Sequence, residues 1–139
     1  NGVNVCFGTG YASISGKQDM FKEMFLALAS QNNLLGGREL SAKDILKMAT
    51  TNGAKALNLE NVGTLNEGYF ADLIMIDVNS TNNAVQNDIF ENLVTCCGVE
   101  DIVLTMVGGK IIYQKDDRIF LKSQEKVLEK NKGIQNKLK

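Results

Sequence analysis

The chain of 139 residues contains no histidine, no proline and no tryptophan, and only three cysteines. Without histidine it lacks the side chain that most often serves as a metal ligand and as a general base near neutral pH. Cys6 stands inside an apolar run, and Cys96 and Cys97 are neighbours, a spacing that matches no common zinc or disulfide pattern. We therefore expect reduced, mostly buried thiols and no metal bound through cysteine.

Long apolar runs and a strong charge bias are also missing. The net charge is −1 and 44% of the residues are apolar, which is typical of a soluble globular protein and gives no reason to expect nucleic acid or a membrane surface as partner. No apolar segment approaches the roughly 20 residues that span a bilayer, and the first residues lack a signal-like pattern. These features favour a cytoplasmic protein, and a start without methionine, directly in a strand pattern, predicts a piece of a longer one.

The pattern of the first half of the chain predicts one strand followed by helices. Residues 3–7 form a β-rich run closed by Gly8, which predicts a buried strand entering a loop over residues 8–16. Asp19 is a candidate N-cap, and Ser41 opens a capping box, so a helix is expected after each. The second helix should end near residues 52–53, with one more turn at 54–57. The apolar face of the first helix consists of Met20, Phe21, Met24, Phe25 and Leu28.

The second half of the chain has strand periodicity. Residues 62–65 and 71–77 are strand-like, and the second run is apolar on both faces, which predicts a central strand. Residues 89–94 fit a short helix or an extended connection equally. Residues 102–107 and 110–114, joined by Gly108 and Gly109, predict a hairpin. Residues 123–139 return to a helical pattern with lysines on a solvated face. The order of elements predicts an α/β to α+β fold.

Four motifs occur in an order that resembles the C-terminal part of the metal-dependent amidohydrolase superfamily. The nearest branch is the deaminase and chlorohydrolase group that includes methylthioadenosine/S-adenosylhomocysteine deaminase and guanine deaminase. The resemblance covers the chain to about residue 120. The motifs are Asn4-Val5-Cys6-Phe7-Gly8-Thr9 with Ser13 and residues 19–24, the helix and turn at 48–57, the return at 63–77, and the hairpin at 107–112.

The resemblance implies an architecture in three parts. Residues 1–60 would be the last strand of a TIM-type barrel and the helices after it, residues 61–120 the C-terminal share of a small β-sandwich, and residues 121–139 a C-terminal helix or tail. The earlier barrel strands, with the histidines that hold zinc or iron in such enzymes, are absent from this chain. A small-molecule substrate would therefore bind only if the full barrel is present.

The resemblance also implies a chemistry. Such enzymes hydrolyse carbon–nitrogen bonds other than peptide bonds, and this branch deaminates purine-like or aminated rings through attack of metal-bound hydroxide and loss of ammonia. The family pattern has aspartate directly after Gly-Thr, as a metal ligand and general base, but Gly10 stands there in this chain. Thr9 and Ser13 remain as candidates on the substrate side, and their neutral hydroxyls cannot replace that base. We expect this chain to bind no metal and to be inactive alone.

Simpler interpretations of the same residues stay open. The run Gly8-Thr9-Gly10 is also typical of a turn that needs positive φ, whereas a phosphate loop is disfavoured because no Lys-Ser/Thr pair follows. Asp19 and Glu23 fit a cap and a first-turn acid. The remaining candidates, Asp72 and Asp77, fit edge and turn roles.

The alternative function is a non-catalytic pseudoenzyme or interaction module, which self-associates or completes a barrel in trans. The apolar face of the first helix is expected to pack in a core. If no barrel covers it, that face would be exposed and would favour a homo-oligomer.

Overall fold

The computed structural model describes residues 2–11, 16–34, 40–79 and 88–116, together with Glu129. These ranges contain helices, a short 3₁₀ turn and one antiparallel sheet, which confirms the expected mixture of helices and strands. The elements are α1 (Met20–Leu34), α2 (Ala42–Ala49), α3 (Thr51–Ala56), β1 (Leu73–Ile76), α4 (Ile89–Thr95), the 3₁₀ turn Val99–Asp101, β2 (Ile102–Val107) and β3 (Lys110–Gln114). No helix within the described ranges is long and apolar enough to cross a membrane.

Side-chain caps begin the three longer helices. Asp19 Oδ1 accepts hydrogen bonds from the amides of Phe21 and Lys22, as its position before an apolar run predicts. Ser41 Oγ accepts from Asp44 N at 3.2 Å and donates to Asp44 Oδ2 at 2.6 Å. Residues 89–94, which the sequence left open, are helical, because Asp88 caps α4 in the same way.

The core lies where α1, α2 and α4 meet. Its most deeply buried side chains are Ile45 on α2 and Val94 on α4, which are 0% and 1% exposed. Among the residues that the structure describes, the other buried apolar ones are Phe21, Met24, Leu28, Ala42 and Cys97. This packing corrects the proposed oligomer surface. Phe21, Met24 and Leu28 are buried within the chain and cannot form an interface, whereas Phe25 is 47% exposed. Self-association itself stays a prediction.

The sheet has the order β1-β2-β3, with both pairs antiparallel. The predicted hairpin is confirmed, since Gly108 and Gly109 turn the chain between β2 and β3 with φ of 54° and 76°. The prediction that β1 is central is wrong. Only β2 pairs with β1 in the described part of the chain, and Met75 is 54% exposed. An apolar pattern indicates that a strand can be covered on both faces, but it does not specify where the covering layers come from.

The strand predicted at residues 62–65 is wrong, and the helix predicted near the C-terminus is not tested. Residues 62–65 form no strand, because Gly63 has a φ of 85°, far from the extended region, and packs against α3. The helix predicted over residues 123–139 lies outside the described residues, apart from Glu129.

Candidate functional site

The segment of residues 2–11, which carries the candidate positions Thr9 and Gly10, is held against the junction of α2 and α3. Phe7 N donates to Met48 O at 3.2 Å. Asn4 Nδ2 donates to Asn52 O at 3.0 Å, and Asn52 Nδ2 donates to Val5 O at 2.8 Å. The strand predicted over residues 3–7 is therefore absent, because a helix end and a side chain, rather than another strand, supply the partners in the described structure.

The free carbonyl groups at the end of α2 explain this attachment. The last carbonyls of a helix have no partner within it and need donors from elsewhere. Thr50 breaks the helix with φ −125° and ψ −93°, and its amide and hydroxyl donate to Lys47 O and Leu46 O. Met48 O is left for an outside donor, which is Phe7 N. The helix end thus specifies where the segment attaches.

Gly10 adopts the left-handed conformation, with a φ of 61°. A Cβ added at this position would have no atom within 4 Å, so the position is exposed and faces open space. The positive φ agrees with the simpler interpretation of a turn glycine. Thr9 is half-buried and Ser13 lies outside the described residues. Within the described structure there is room for a larger side chain at position 10. A residue other than glycine would have to adopt a strained backbone conformation there.

The described residues supply no metal site. No group of three or more cysteine, aspartate or glutamate side chains is close enough to hold an ion there, and the whole chain has no histidine. The cysteines are free thiols, as expected. The expected burial is wrong for Cys6, which is exposed because its segment lies on the surface, whereas Cys97 is buried.

The other candidate carboxylates have structural partners. Asp19 caps α1, Asp72 Oδ1 accepts from Gly108 N at 2.6 Å, and Asp77 Oδ1 accepts from Asn79 N at 2.9 Å. The edge and turn roles predicted for Asp72 and Asp77 agree with these bonds. Nothing in this geometry pairs two of these carboxylates for acid–base chemistry.

A large apolar groove runs between α2 and the sheet. Its volume is about 780 Å³, and Leu46, Ala49, Ile76 and Met106 are among its lining residues. Neither Thr9 nor Gly10 lines it. The groove is therefore separate from the candidate site at the end of the segment.

Sequence reasoning missed Asn4 and Asn52, whose side chains attach the segment. The sequence pattern places Asn52 only near the end of a helix. An asparagine directly after a helix break was an available signal, because its carboxamide can both donate and accept beside unpaired backbone groups. Its partners, Val5 and Asn4, lie 47 and 48 residues away in the sequence, so no local pattern indicates these contacts.

Comparison with known proteins gives a consistent result. The profile of the Amidohydrolase family matches residues 1–112. The chain is 37% identical over 129 residues to 5'-deoxyadenosine deaminase of Methanosarcina mazei, covering 92% of this chain and 29% of that protein. It is 40% identical over 112 residues to 5-methylthioadenosine/S-adenosylhomocysteine deaminase of Thermococcus sibiricus, covering 80% of this chain and 26% of that protein. The chain thus spans less than a third of the length of these relatives.

The fold has a counterpart among solved structures. The crystal structure of an adenosine deaminase from Xanthomonas campestris with bound zinc superposes with a TM-score of 0.78 and 22% identity. The match covers 93% of this chain and 31% of that one. At this identity the likeness describes the fold alone.

Proposed function

This chain belongs to the amidohydrolase family, and we propose that it is the C-terminal segment of a metal-dependent hydrolase that acts on carbon–nitrogen bonds other than peptide bonds. The reaction proposed for the parent protein is deamination of a purine-like or aminated ring. The observation that carries this proposal is the similarity to two deaminases of adenosine-like compounds over 80% and 92% of the chain.

The proposed placement of the chain in the parent follows the order of its elements. Residues 2–11 would be the last barrel strand, α1 to α3 the helices that follow it, and β1 to β3 part of the sandwich. In this arrangement the missing barrel strands would lie beside residues 2–11, where Cys6, Gly8 and Gly10 are exposed. Additional strands there would also give the segment the ladder partners that the described chain lacks.

The residues of this chain do not fit the family metal. Zinc in protein sites takes nitrogen, sulfur or carboxylate ligands, commonly three from the protein in a catalytic site. The chain has no histidine, and position 10 offers no ligand atom. The metal ligands and the proton-transferring acid would therefore come from outside this chain, and no catalytic step is assigned to its own residues.

Gly10 favours a second candidate function, a non-catalytic module of the same family. Replacement of a ligating aspartate by glycine removes both a metal ligand and a general base. A barrel completed by this chain would then retain its shape without the chemistry. The two candidates therefore predict different activities for a complete barrel that carries Gly10.

A chimeric enzyme tests both candidates. The last third of Methanosarcina mazei 5'-deoxyadenosine deaminase is replaced by this chain, with Gly10 or with Gly10→Asp, and ammonia release from 5'-deoxyadenosine is measured in the presence of zinc. Asp is among the few non-glycine residues that adopt positive φ readily, and its side chain would meet open space. The first candidate predicts ammonia release by the Gly10 chimera as well as by Gly10→Asp, because its metal ligands come from outside this chain. The second candidate predicts release only with Gly10→Asp. The non-catalytic candidate is supported if the Gly10 chimera folds and remains inactive.

The controls separate folding from chemistry. Gly10→Asn has a volume similar to that of Gly10→Asp and a similar tolerance of positive φ, but it lacks the basic carboxylate, so it should have the activity of the Gly10 chimera. Circular dichroism establishes that each chimera has folded, and zinc content is compared separately, because the residue at position 10 can itself change it. An assembled Gly10→Asp chimera without activity would contradict the assignment of position 10, and ammonia release by the purified chain alone with stoichiometric zinc would contradict its proposed inactivity.

A further inference from the structure

We propose that Asn52 is a positioning residue, which together with Asn4 fixes the register of residues 4–10 against the junction of α2 and α3. This inference rests on the proposed function, because it concerns how position 10 is presented to the rest of the site. The two bonds run in opposite directions. Each asparagine donates from its carboxamide to backbone on the other side, Asn52 to Val5 O at 2.8 Å and Asn4 to Asn52 O at 3.0 Å.

The pair of bonds is sensitive to register because a carboxamide has a short and fixed reach. Phe7 N adds a third bond to Met48 O, so three bonds fall within four residues of the segment. A shift by one residue along the segment would move Val5 O and the Phe7 amide about 3.3 Å from their partners and break all three. The register is thus specified by hydrogen bonds, although no strand pairs with the segment in the described structure.

Register decides which side of the segment each residue faces. Phe7 packs against the core cluster and Thr9 is half-buried, whereas Gly8 and Gly10 are exposed. Alternation of this kind is reversed by a shift of one residue. The observed register points position 10 away from the helices, into open space.

Asn52 is suited to this task because it lies in the first turn of a helix. Its backbone is fixed by α3, whose Ala54 and Leu57 amides bond to Thr50 O and Gly53 O. Groups on rigid elements hold their partners more closely than groups on loops do. Asn4, by contrast, belongs to the segment that is being held. Asn52 therefore determines where the segment of residues 4–10 lies on the helices, and Asn4 adds a second bond from the segment to the same place.

The test compares Asn52→Ala with Lys55→Ala in the full chain. Lys55 is an exposed residue of the same short helix and bonds to no residue of the segment, so it controls for changes to α3 itself. Hydrogen exchange at the Phe7 amide is measured beside that at Ile45 in the core. We expect Asn52→Ala to speed exchange at Phe7 about fivefold, as loss of one net hydrogen bond predicts, without the same change at Ile45. Equal acceleration at both amides would overturn the proposal, because it would mean a general loss of stability.

A second readout reports register directly. Gly8→Cys and Thr9→Cys are alkylated in separate samples, and labelling is located by peptide mass spectrometry, which distinguishes these positions from the native cysteines. In the chain that retains Asn52, the cysteine introduced at position 8 should react faster than the one at position 9, because position 8 is exposed and position 9 is half-buried. Asn52→Ala should bring the ratio of the two rates toward one, and Lys55→Ala should leave it unchanged. A ratio that survives Asn52→Ala overturns the positioning role.

The two measurements remain informative if a variant fails to fold or if the proposed function is wrong. Asn52→Asp keeps the size of the side chain and removes only the donor to Val5 O, so it replaces Asn52→Ala if that variant does not fold. Neither readout requires catalysis. Failure of the chimera with an intact register effect would therefore reject the proposed function alone, and an unchanged register in an active chimera would reject this inference alone.

Discussion

Asp72 Oδ1 accepts a hydrogen bond of 2.6 Å from Gly108 N, across 36 residues of sequence. Gly109 N also donates to Ala71 O at 3.2 Å. The residues that enter β1 are thereby joined to the turn between β2 and β3. Because β1 pairs with β2 alone among the described strands, these bonds reinforce the attachment of an edge strand.

Asp72→Ala should lower the free energy of unfolding by about 1–2 kcal/mol, because the amide of a tight turn loses a charge-assisted partner. Urea denaturation followed by circular dichroism measures the change. Glu60→Ala, which removes an exposed acid outside the sheet, is the control and should alter stability little. Equal effects of the two variants would mean that the bond to Gly108 contributes nothing.

Gly63→Ala should destabilise the protein more than Gly68→Ala does. Both glycines have positive φ, 85° and 82°, so both substitutions share a backbone cost of about 1 kcal/mol. An added Cβ at 63 would stand 3.0 Å from Ala54 Cβ and 3.2 Å from Thr51 Cα, whereas at 68 it would meet nothing within 4 Å. Overpacking should add about 1–3 kcal/mol at Gly63, which comparison of the two unfolding free energies measures. Identical losses of stability in the two variants would mean that the cost comes only from the positive φ and that the contacts of the added Cβ at position 63 contribute nothing.

The N-terminus of α2 should contribute an acid-sensitive part of the stability. The Ser41 hydroxyl, which donates to the carboxyl group, and then Lys47 beside it hold the pKa of Asp44 below its ordinary value of 3.8. This contribution is fully present above the unfolded-state pKa and is lost as the pH falls through the lower folded-state pKa. Asp44→Asn should flatten the dependence of the urea midpoint on pH below about pH 4, relative to the unsubstituted chain. An unchanged slope in Asp44→Asn would contradict this assignment.

Ile45→Ala should be severely destabilising, by about 2–5 kcal/mol, since its side chain is fully buried between helices and the substitution leaves a cavity. Leu65→Ala removes a similar apolar side chain that is 73% exposed, and should cost far less. Denaturant midpoints of the two variants provide the comparison. A small loss of stability in Ile45→Ala would mean that the surrounding helices move together and fill the cavity.

Features with local causes could be predicted from the sequence. Asp19 and Ser41 begin their helices as expected, and Gly108 and Gly109 form the hairpin turn, because each acts within a few residues. The four ordered motifs identified the family correctly. The wrong predictions depended on distant partners. Residues 3–7 had the composition of a strand, but only the tertiary structure reveals that Met48 and Asn52 are the groups that bind them.

The candidate site was predictable only in part. The sequence pointed to Gly10 and to a chain that lacks metal ligands, since both follow from residue identity. The attachment through Asn4 and Asn52 and the direction in which position 10 faces could not be predicted. They depend on the break at Thr50, which frees Met48 O and orients α3. A helix break of this kind has no reliable signal in a single sequence.

The attachment of residues 2–11 resembles that of a tethered peptide ligand. The segment binds the helices through three hydrogen bonds and the side chain of Phe7, while the chain between it and α1 supplies a high local concentration. A covalent connection raises the effective concentration of the group it carries, and it can thereby sustain an association that is weak between separate molecules. A single proteolytic cut before α1 would remove that advantage and allow the segment to dissociate.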